Sequence, residues 1–185
     1  MIRHAERTDL PVILEIYAHA RKFMERNGNL TQWAGGFPPQ SMLSDDIAQR
    51  RLYVVEEEMS GRVCGVFFFA IGPDETYEVI EQGKWLSDRE YGTIHRVASD
   101  GTVHGLLTQV AAYCEQRIAH LRIDTHKDNV IMQRAILGCG FQKCGVIYVE
   151  DGSPRIAYEK EEKTLYRRSS CKTGWFGSCS SPIGL

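Results

Sequence analysis

The sequence predicts an α/β domain built on a mixed, mostly antiparallel central sheet with helices on both faces, in the order β-α-α-β-β-β-α-β-α-β-β. Three observations lead there. The run Val63-Cys64-Gly65-Val66-Phe67-Phe68-Phe69-Ala70-Ile71 is apolar on both alternating faces and rich in β-formers, which marks a strand in the middle of a sheet. Two tight turns, Ser60-Gly61 and Asp151-Gly152-Ser153-Pro154, join runs of strand length as hairpins. Residues 91–99 end in the small polar turn Asp100-Gly101-Thr102 and pass directly into an amphipathic helical pattern.

Each element has a local cause. After a short strand near Ile2, Thr8-Asp9 can cap a helix, and Pro11 is tolerated in its first turn. Ile13, Ile16, Tyr17 and Ala20, then Phe23 or Met24, form an apolar stripe that Asn27-Gly28-Asn29 ends. Residues 30–40 hold Trp33, Gly35-Gly36, Phe37 and Pro38-Pro39; they cannot continue a helix, and their two large aromatics suit a loop that lies over something. A second helix fits residues 41–50, with Ser44-Asp45-Asp46 as first-turn acids and Met42, Leu43 and Ile47 inward. Strands follow at residues 52–56 and 63–71, then an insertion over residues 72–90 with a short helix expected near residues 77–82, then the strand over residues 91–99.

The next helix is expected over residues 103–118, with Leu106, Val110, Tyr113 or Cys114, and Ile118 on one face. Residues 120–125 read as a buried strand. Asp128 is the expected cap of a helix carrying Val130, Ile131, Ala135, Ile136 and Leu137, and Gly140 closes it in the C′ position. Two strands, residues 141–150 and 155–159, complete the sheet. From residue 164 the chain turns Ser-, Gly- and Cys-rich with isolated Leu165, Trp175 and Phe176, a composition that fits a docked arm or a disordered tail. The organisation is one domain over residues 1–163 and a tail over residues 164–185, without internal repeats.

Length and composition narrow the function. A chain of 185 residues is long enough to bury a substantial core. Its net charge of −2, with scattered Lys and Arg, gives no support to a nucleic-acid or membrane partner, and no apolar stretch reaches the length of a membrane span. The N-terminus, Met1-Ile2-Arg3-His4-Ala5-Glu6-Arg7, is charged and lacks the apolar core of an export signal. The cysteines Cys64, Cys114, Cys139, Cys144, Cys171 and Cys179 are therefore read as reduced thiols in a cytoplasmic protein, and none forms the Cys-x-x-Cys pair of a zinc site, so no metal is expected.

A strand that turns tightly into a helix offers unpaired backbone N–H groups at the positive end of the helix dipole, and so an anion cradle at residues 99–108. In its company stand Ile2-Arg3-His4-Ala5 with Thr8-Asp9-Leu10-Pro11, the strand Ile94-His95-Arg96-Val97-Ala98, and Asp124 to Phe141 with Asn129, Ala135 and Gly140-Phe141. In that order and spacing the chain resembles the GNAT superfamily of acetyl-CoA-dependent N-acetyltransferases over about residues 1–160. The resemblance implies acetyl-CoA as cosubstrate, held by Val97, Ala98, Ser99, Thr102, Val103, His104, Gly105, Leu106, Leu107, Thr108 and Asn129. Two positions depart from the family pattern. Thr102, Gly105 and Leu107 stand where the pyrophosphate loop has Gln or Arg, Gly, and Gly or Ala, in a loop about two residues short. Ile136 occupies the place of a frequent tyrosine acid, which excludes that acid.

The implied reaction is direct attack of a neutral primary amine on the thioester in a ternary complex, with the oxyanion on a backbone N–H near Val97 or Ala98. His95 is the candidate base, on the strand that faces both thioester and acceptor, while alternation puts Arg96 on the opposite face in a structural ion pair. Glu78, Glu81 and Glu90 are rival bases, His126 sits at a strand end beside the cofactor groove, and Cys139 is a rival acid. Trp33, Phe37, Tyr77 and Trp85 are expected to wall an acceptor pocket for a small-molecule amine. A GNAT-like module that binds acyl-CoA with little catalysis is the competing reading. Exposed strands at the end of the sheet are compatible with a homodimer.

Overall fold

The computed structural model describes residues 1–161. The expected domain end at residue 163 and the tail with Leu165, Trp175 and Phe176 lie outside the described residues. Among these, seven strands form one sheet in the order β1-β2-β3-β4-β5-β7-β6. The strands are β1 (Ile2–His4), β2 (Leu52–Glu56), β3 (Val63–Ile71), β4 (Gly92–Ser99), β5 (His120–Thr125), β6 (Gln142–Tyr148) and β7 (Pro154–Glu161). The helices are α1 (Leu10–Arg26), α2 (Gln40–Ala48), α3 (Leu106–Glu115) and α4 (Val130–Gly138). The element order is the expected one, and every neighbouring pair is antiparallel except β4 and β5.

Alternation along the inner strands builds two cores. On one face Tyr53, Val55, Phe67, Phe69, Ile94, Leu121 and Ile123 meet Val110, Cys114 and Ile136 of α3 and α4. On the other, Leu52, Val54, Val66 and Phe68 meet Ile13, Ile16 and Tyr17 of α1 and Leu43 and Ile47 of α2. Residues 63–69 of β3 are buried throughout, as a strand covered on both faces requires. In the last turn of α1 it is Met24 that is buried, while Phe23 stays half exposed.

Several local expectations are corrected. Asp9 makes no side-chain cap on α1; its carboxylate takes the Arg3 guanidinium at 2.7 and 3.0 Å and the Glu6 N–H at 2.8 Å, an ion pair that outcompetes the cap. α3 begins at Leu106 and not at residue 103, because Gly105 sits in a left-handed conformation (φ 68°) that breaks the helix before it. Asn129, not Asp128, caps α4, accepting from the Met132 N–H at 3.2 Å. Gly140 takes the expected left-handed C′ position (φ 85°).

The insertion holds a single 3-10 turn, Glu75–Tyr77, in place of the expected helix over residues 77–82. Its remainder runs along the edge strand β6, where Glu81 and Val146 exchange backbone hydrogen bonds at 2.8 Å and the Lys84 N–H reaches Cys144 O. A buried carboxylate fastens it. Glu159 of β7 accepts from Arg122 Nε at 3.0 Å and contacts His120 Nε2 and the Leu86 N–H. Arg122 in turn stacks between Trp85 and Tyr91 and donates to Ser87 O at 2.7 Å. The expectation of exposed strands at the sheet end therefore holds poorly at β6, whose outer edge this segment partly covers.

Candidate functional site

β4 and β5 are parallel neighbours for three rungs, Gly92, Thr93 and Ile94 against Leu121, Arg122 and Ile123, and the ladder then stops. The cause is a bulge in β4. Arg96 has φ 52°, a left-handed conformation that costs a residue bearing a Cβ, and it fits one extra residue between the Phe68–His95 and Val66–Ala98 pairs. The two strands diverge, and a cavity of about 490 Å³ opens between Val97, Ala98 and Ser99 on one side and Asp124 and Thr125 on the other. The bulge also overturns the expectation that His95 and Arg96 face opposite ways. The Arg96 guanidinium lies 4.7 Å from the ring centre of Phe68, and the His95 ring lies 5.7 Å from that same centre. Arg96 does form the expected structural ion pair, with Asp46 of α2.

At one end of the cavity stands the start of α3. The turn before it is closed on itself: Ser99 Oγ accepts from the Gly101 N–H at 3.0 Å and Asp100 Oδ1 from the Thr102 N–H at 2.9 Å, with Arg62 bridging Asp100 and Thr102. The first N–H groups of α3 to find a protein acceptor are those of Thr108 and Gln109, both on Gly105 O. The N–H groups of the preceding turn are left for another acceptor, at the positive end of the helix dipole. A Cβ at Gly105 would meet nothing within 4 Å, so the residue is glycine for its conformation and for the open space in front of it.

At the other end is an acidic cluster that holds a histidine. His95 Nε2 lies 3.0 Å from Asp74 Oδ2, and Nδ1 lies 3.1 Å from Asp124 Oδ1. Tyr77 OH donates to the same Asp124 Oδ1 at 2.9 Å. Burial alone would lower the His95 pKa; the two carboxylates reverse this and hold it up at about 9. Burial would raise Asp74, but His95 and the Thr76 hydroxyl and N–H bring it down to about 2. The phenol of Tyr77 is pushed well above its usual range by burial and by Asp124.

The loop between α1 and α2 does lie over something. Gln32 and Trp33 line the cavity, Gln32 Oε1 accepts from Asn129 Nδ2 at 2.9 Å, and Trp33 packs edge-on against Tyr17. No protein-family model and no curated protein matches this chain. Solved structures do. A GNAT-family acetyltransferase from Streptococcus agalactiae matches with a TM-score of 0.78 and 29% identity, over 88% of this chain and 95% of its own. This chain belongs to the GNAT superfamily of acetyltransferases. A GNAT-family acetyltransferase from Listeria monocytogenes shares the fold at 20% identity and a TM-score of 0.65, over 87% of this chain and 94% of its own. So does a Salmonella typhimurium protein solved with its cofactor acetyl-CoA, at 17% identity and a TM-score of 0.57, over 92% and 98%.

In this GNAT acetyltransferase the expected cofactor residues gather largely as a set. Val97, Ala98, Ser99, Val103, Gly105, Leu106, Leu107, Thr108 and Asn129 line the cavity. Thr102 and His104 do not: Thr102 is held by Arg62 and Asp100, and His104 is exposed outside the lining. Leu107, where the family pattern has Gly or Ala, borders the cavity but is 5% exposed and packed into the core.

The aromatic wall is corrected more heavily. Trp33 alone of the four lines the cavity. Tyr77 is 1% exposed in a small core with Ile147 and Ala157, Trp85 packs on Tyr77 and Arg122, and Phe37 stays on the outer loop with its carbonyl on Arg21. Nor does the geometry suit His95 as a free base, since both ring nitrogens face carboxylate oxygens and so carry protons. Of the rival bases, Glu81 receives the Tyr148 hydroxyl, and Glu78 and Glu90 lie on the surface. His126 accepts from the Asp128 N–H, and Cys139 contacts Thr108.

Sequence reasoning missed Asp74 and Asp124. Asp124 stood inside the family-like stretch, at the end of β5 directly beyond the last paired rung, and that position was its signal. Asp74 had none, because a loop folding back over 21 residues of chain brings it to His95. Among the described residues no helix is long and apolar enough to cross a membrane, no set of three or more His, Cys, Asp or Glu is arranged to hold a metal ion, and the four cysteines are unpaired.

Proposed function

We propose that this chain transfers the acetyl group of acetyl-CoA to the primary amine of a small cationic molecule, by direct attack in a ternary complex. The observation that carries the reading is the cavity itself, a gap between two diverging strands with an anion-ready helix start at one end and an acidic cluster at the other. The pyrophosphate would rest on the N–H groups of residues 103–107, pantetheine would run along Val97–Ser99 where the ladder is absent, and the thioester would reach the Asp124 end. A backbone N–H of Val97 or Ala98 would take the oxyanion. Trp33, with Gln32 joined to Asn129 at the start of α4, would close the groove from the α1–α2 side. Acetyl-CoA in the Salmonella structure of the same fold supports the cofactor.

The acceptor class follows from charge. Asp74 and Asp124 outnumber the one imidazolium between them, so the inner end favours an ammonium over an anionic acceptor. The net charge of −2 and, among the described residues, four unpaired thiols support a cytoplasmic enzyme without nucleic-acid or membrane partners. The test is release of free thiol from acetyl-CoA with a panel of amines, run beside calorimetry of acetyl-CoA. Thiol release that depends on an amine supports the reading. Binding without release with any amine would favour the acyl-CoA-binding module, and no binding would defeat both.

A further inference from the structure

We infer that Asp124 is the residue that holds the acceptor ammonium and takes its proton, with His95 and Tyr77 acting through it as positioning residues. The inference rests on the acetyl transfer proposed above. Three observations single out Asp124. It is the one carboxylate among the residues lining the cavity, where the other titratable groups are His19 and Arg96. Arg96 is paired with Asp46, and His19 lies beside Gly101 at the helix-start end, where a Cβ on that glycine would come 3.1 Å from its Nε2.

Second, the Asp124 carboxylate is used asymmetrically. His95 Nδ1 and Tyr77 OH both converge on Oδ1, so among the described residues Oδ2 is the oxygen without a protein donor. Two donors on one oxygen fix the plane of the carboxylate and leave the second oxygen for a ligand, the arrangement in which a base is pre-oriented at little entropic cost. Third, Asp124 directly follows Ile123, the last residue of β5 paired with β4, so it stands at the apex of the gap where a thioester between the strands would end.

The step balances. The ammonium gives one proton to Oδ2, the freed nitrogen lone pair forms the C–N bond, and the C–S bond breaks with its electron pair on sulfur. The second nitrogen proton leaves as the amide forms. One of the two protons ends on the thiolate and the other passes to water, so ammonium plus thioester becomes amide, thiol and one proton. The charged and titratable groups around Asp124 are His95 and Arg96 of β4, Asp74 and Tyr77 of the insertion, and Asp46 of α2 behind Arg96; its partner across β7 is the uncharged Ala157.

The experiment compares wild type with Asp124→Asn and Tyr77→Phe, using acetyl-CoA and the fastest of putrescine, spermidine and phenylethylamine. Asp124→Asn should lower kcat/KM for the amine by about 100-fold or more while leaving acetyl-CoA affinity by calorimetry unchanged. Its residual rate should climb with pH toward the amine's own pKa of roughly 10, as only free amine then reacts. Tyr77→Phe removes a donor from the carboxylate, so the acid limb of the kcat/KM profile should move to higher pH, a shift that a merely structural tyrosine would not produce. An active wild type with an equally active Asp124→Asn, or an acid limb that Tyr77→Phe leaves in place, overturns this role alone. A wild type that releases no thiol with any amine overturns the acceptor reading and this role with it.

Discussion

His95 of β4 and Asp124 of β5 meet at 3.1 Å one residue beyond Ile94 and Ile123, the last rung on which their strands are paired. Where the backbone ladder ends, a side-chain ion pair takes over, and the cavity begins beside it. The gap is thus anchored at its apex by charge, and Asp74 ties the insertion to the same imidazole from the other side.

This clamp has a pH window with a definite sign. His95 is raised from 6.5 to about 9 in the folded protein, so its contribution to stability is fully present below about 6.5 and is lost as pH rises through about 9. Asp74 is lowered from 3.8 to about 2, so its contribution is present above about 3.8 and is lost as pH falls through about 2. Thermal melts of wild type and His95→Gln should therefore differ most between about pH 4 and 6.5, and the gap should narrow toward pH 9 and beyond. A gap that stays constant across that range would show that His95 is not held as a cation.

Gly105 carries two demands at once. Its left-handed backbone (φ 68°) disfavours any residue with a Cβ by roughly 1–2 kcal/mol, and its Cβ direction points into open space at the cavity. Gly105→Val should lower stability by about that amount and weaken acetyl-CoA binding further than the stability loss explains. Calorimetry at a temperature where the variant remains folded separates the two effects; unchanged affinity would remove the helix start from the cofactor site.

Glu159 is fully buried and neutralises Arg122, which is itself 4% exposed. Removing one member of such a cluster strands the other in a poor solvent for charge, at a cost of about 3–5 kcal/mol. Glu159→Ala should show that loss in urea unfolding. It should also release the insertion, since the Leu86 N–H is held by Glu159 and Ser87 O by Arg122; limited proteolysis should then cut within residues 84–90. Resistance there equal to wild type would mean that the β6 edge contacts suffice to hold the segment.

The sequence by itself determined the element order, the central place of β3, the helix end at Gly140 and most of the groove lining, Val97 to Ser99 with Val103 and Gly105 to Thr108. These follow from short-range causes: side-chain periodicity, turn residues and a strand entering a helix, each legible within about ten residues. Only the tertiary structure decided which side chains share a space. The positive φ of Arg96 inserts a bulge that reverses the expected alternation and opens β4 from β5, and no residue type at that position announces it. Asp74 reaches His95 from a loop 21 residues away, while Tyr77 and Trp85, aromatic and loop-borne like Trp33, turn into a small core instead of the cavity. The physical reason is one of range: local propensity sets where the backbone turns, but the partners of a buried charge or ring are chosen by contacts between distant segments, whose energies appear only once the chain has closed on itself.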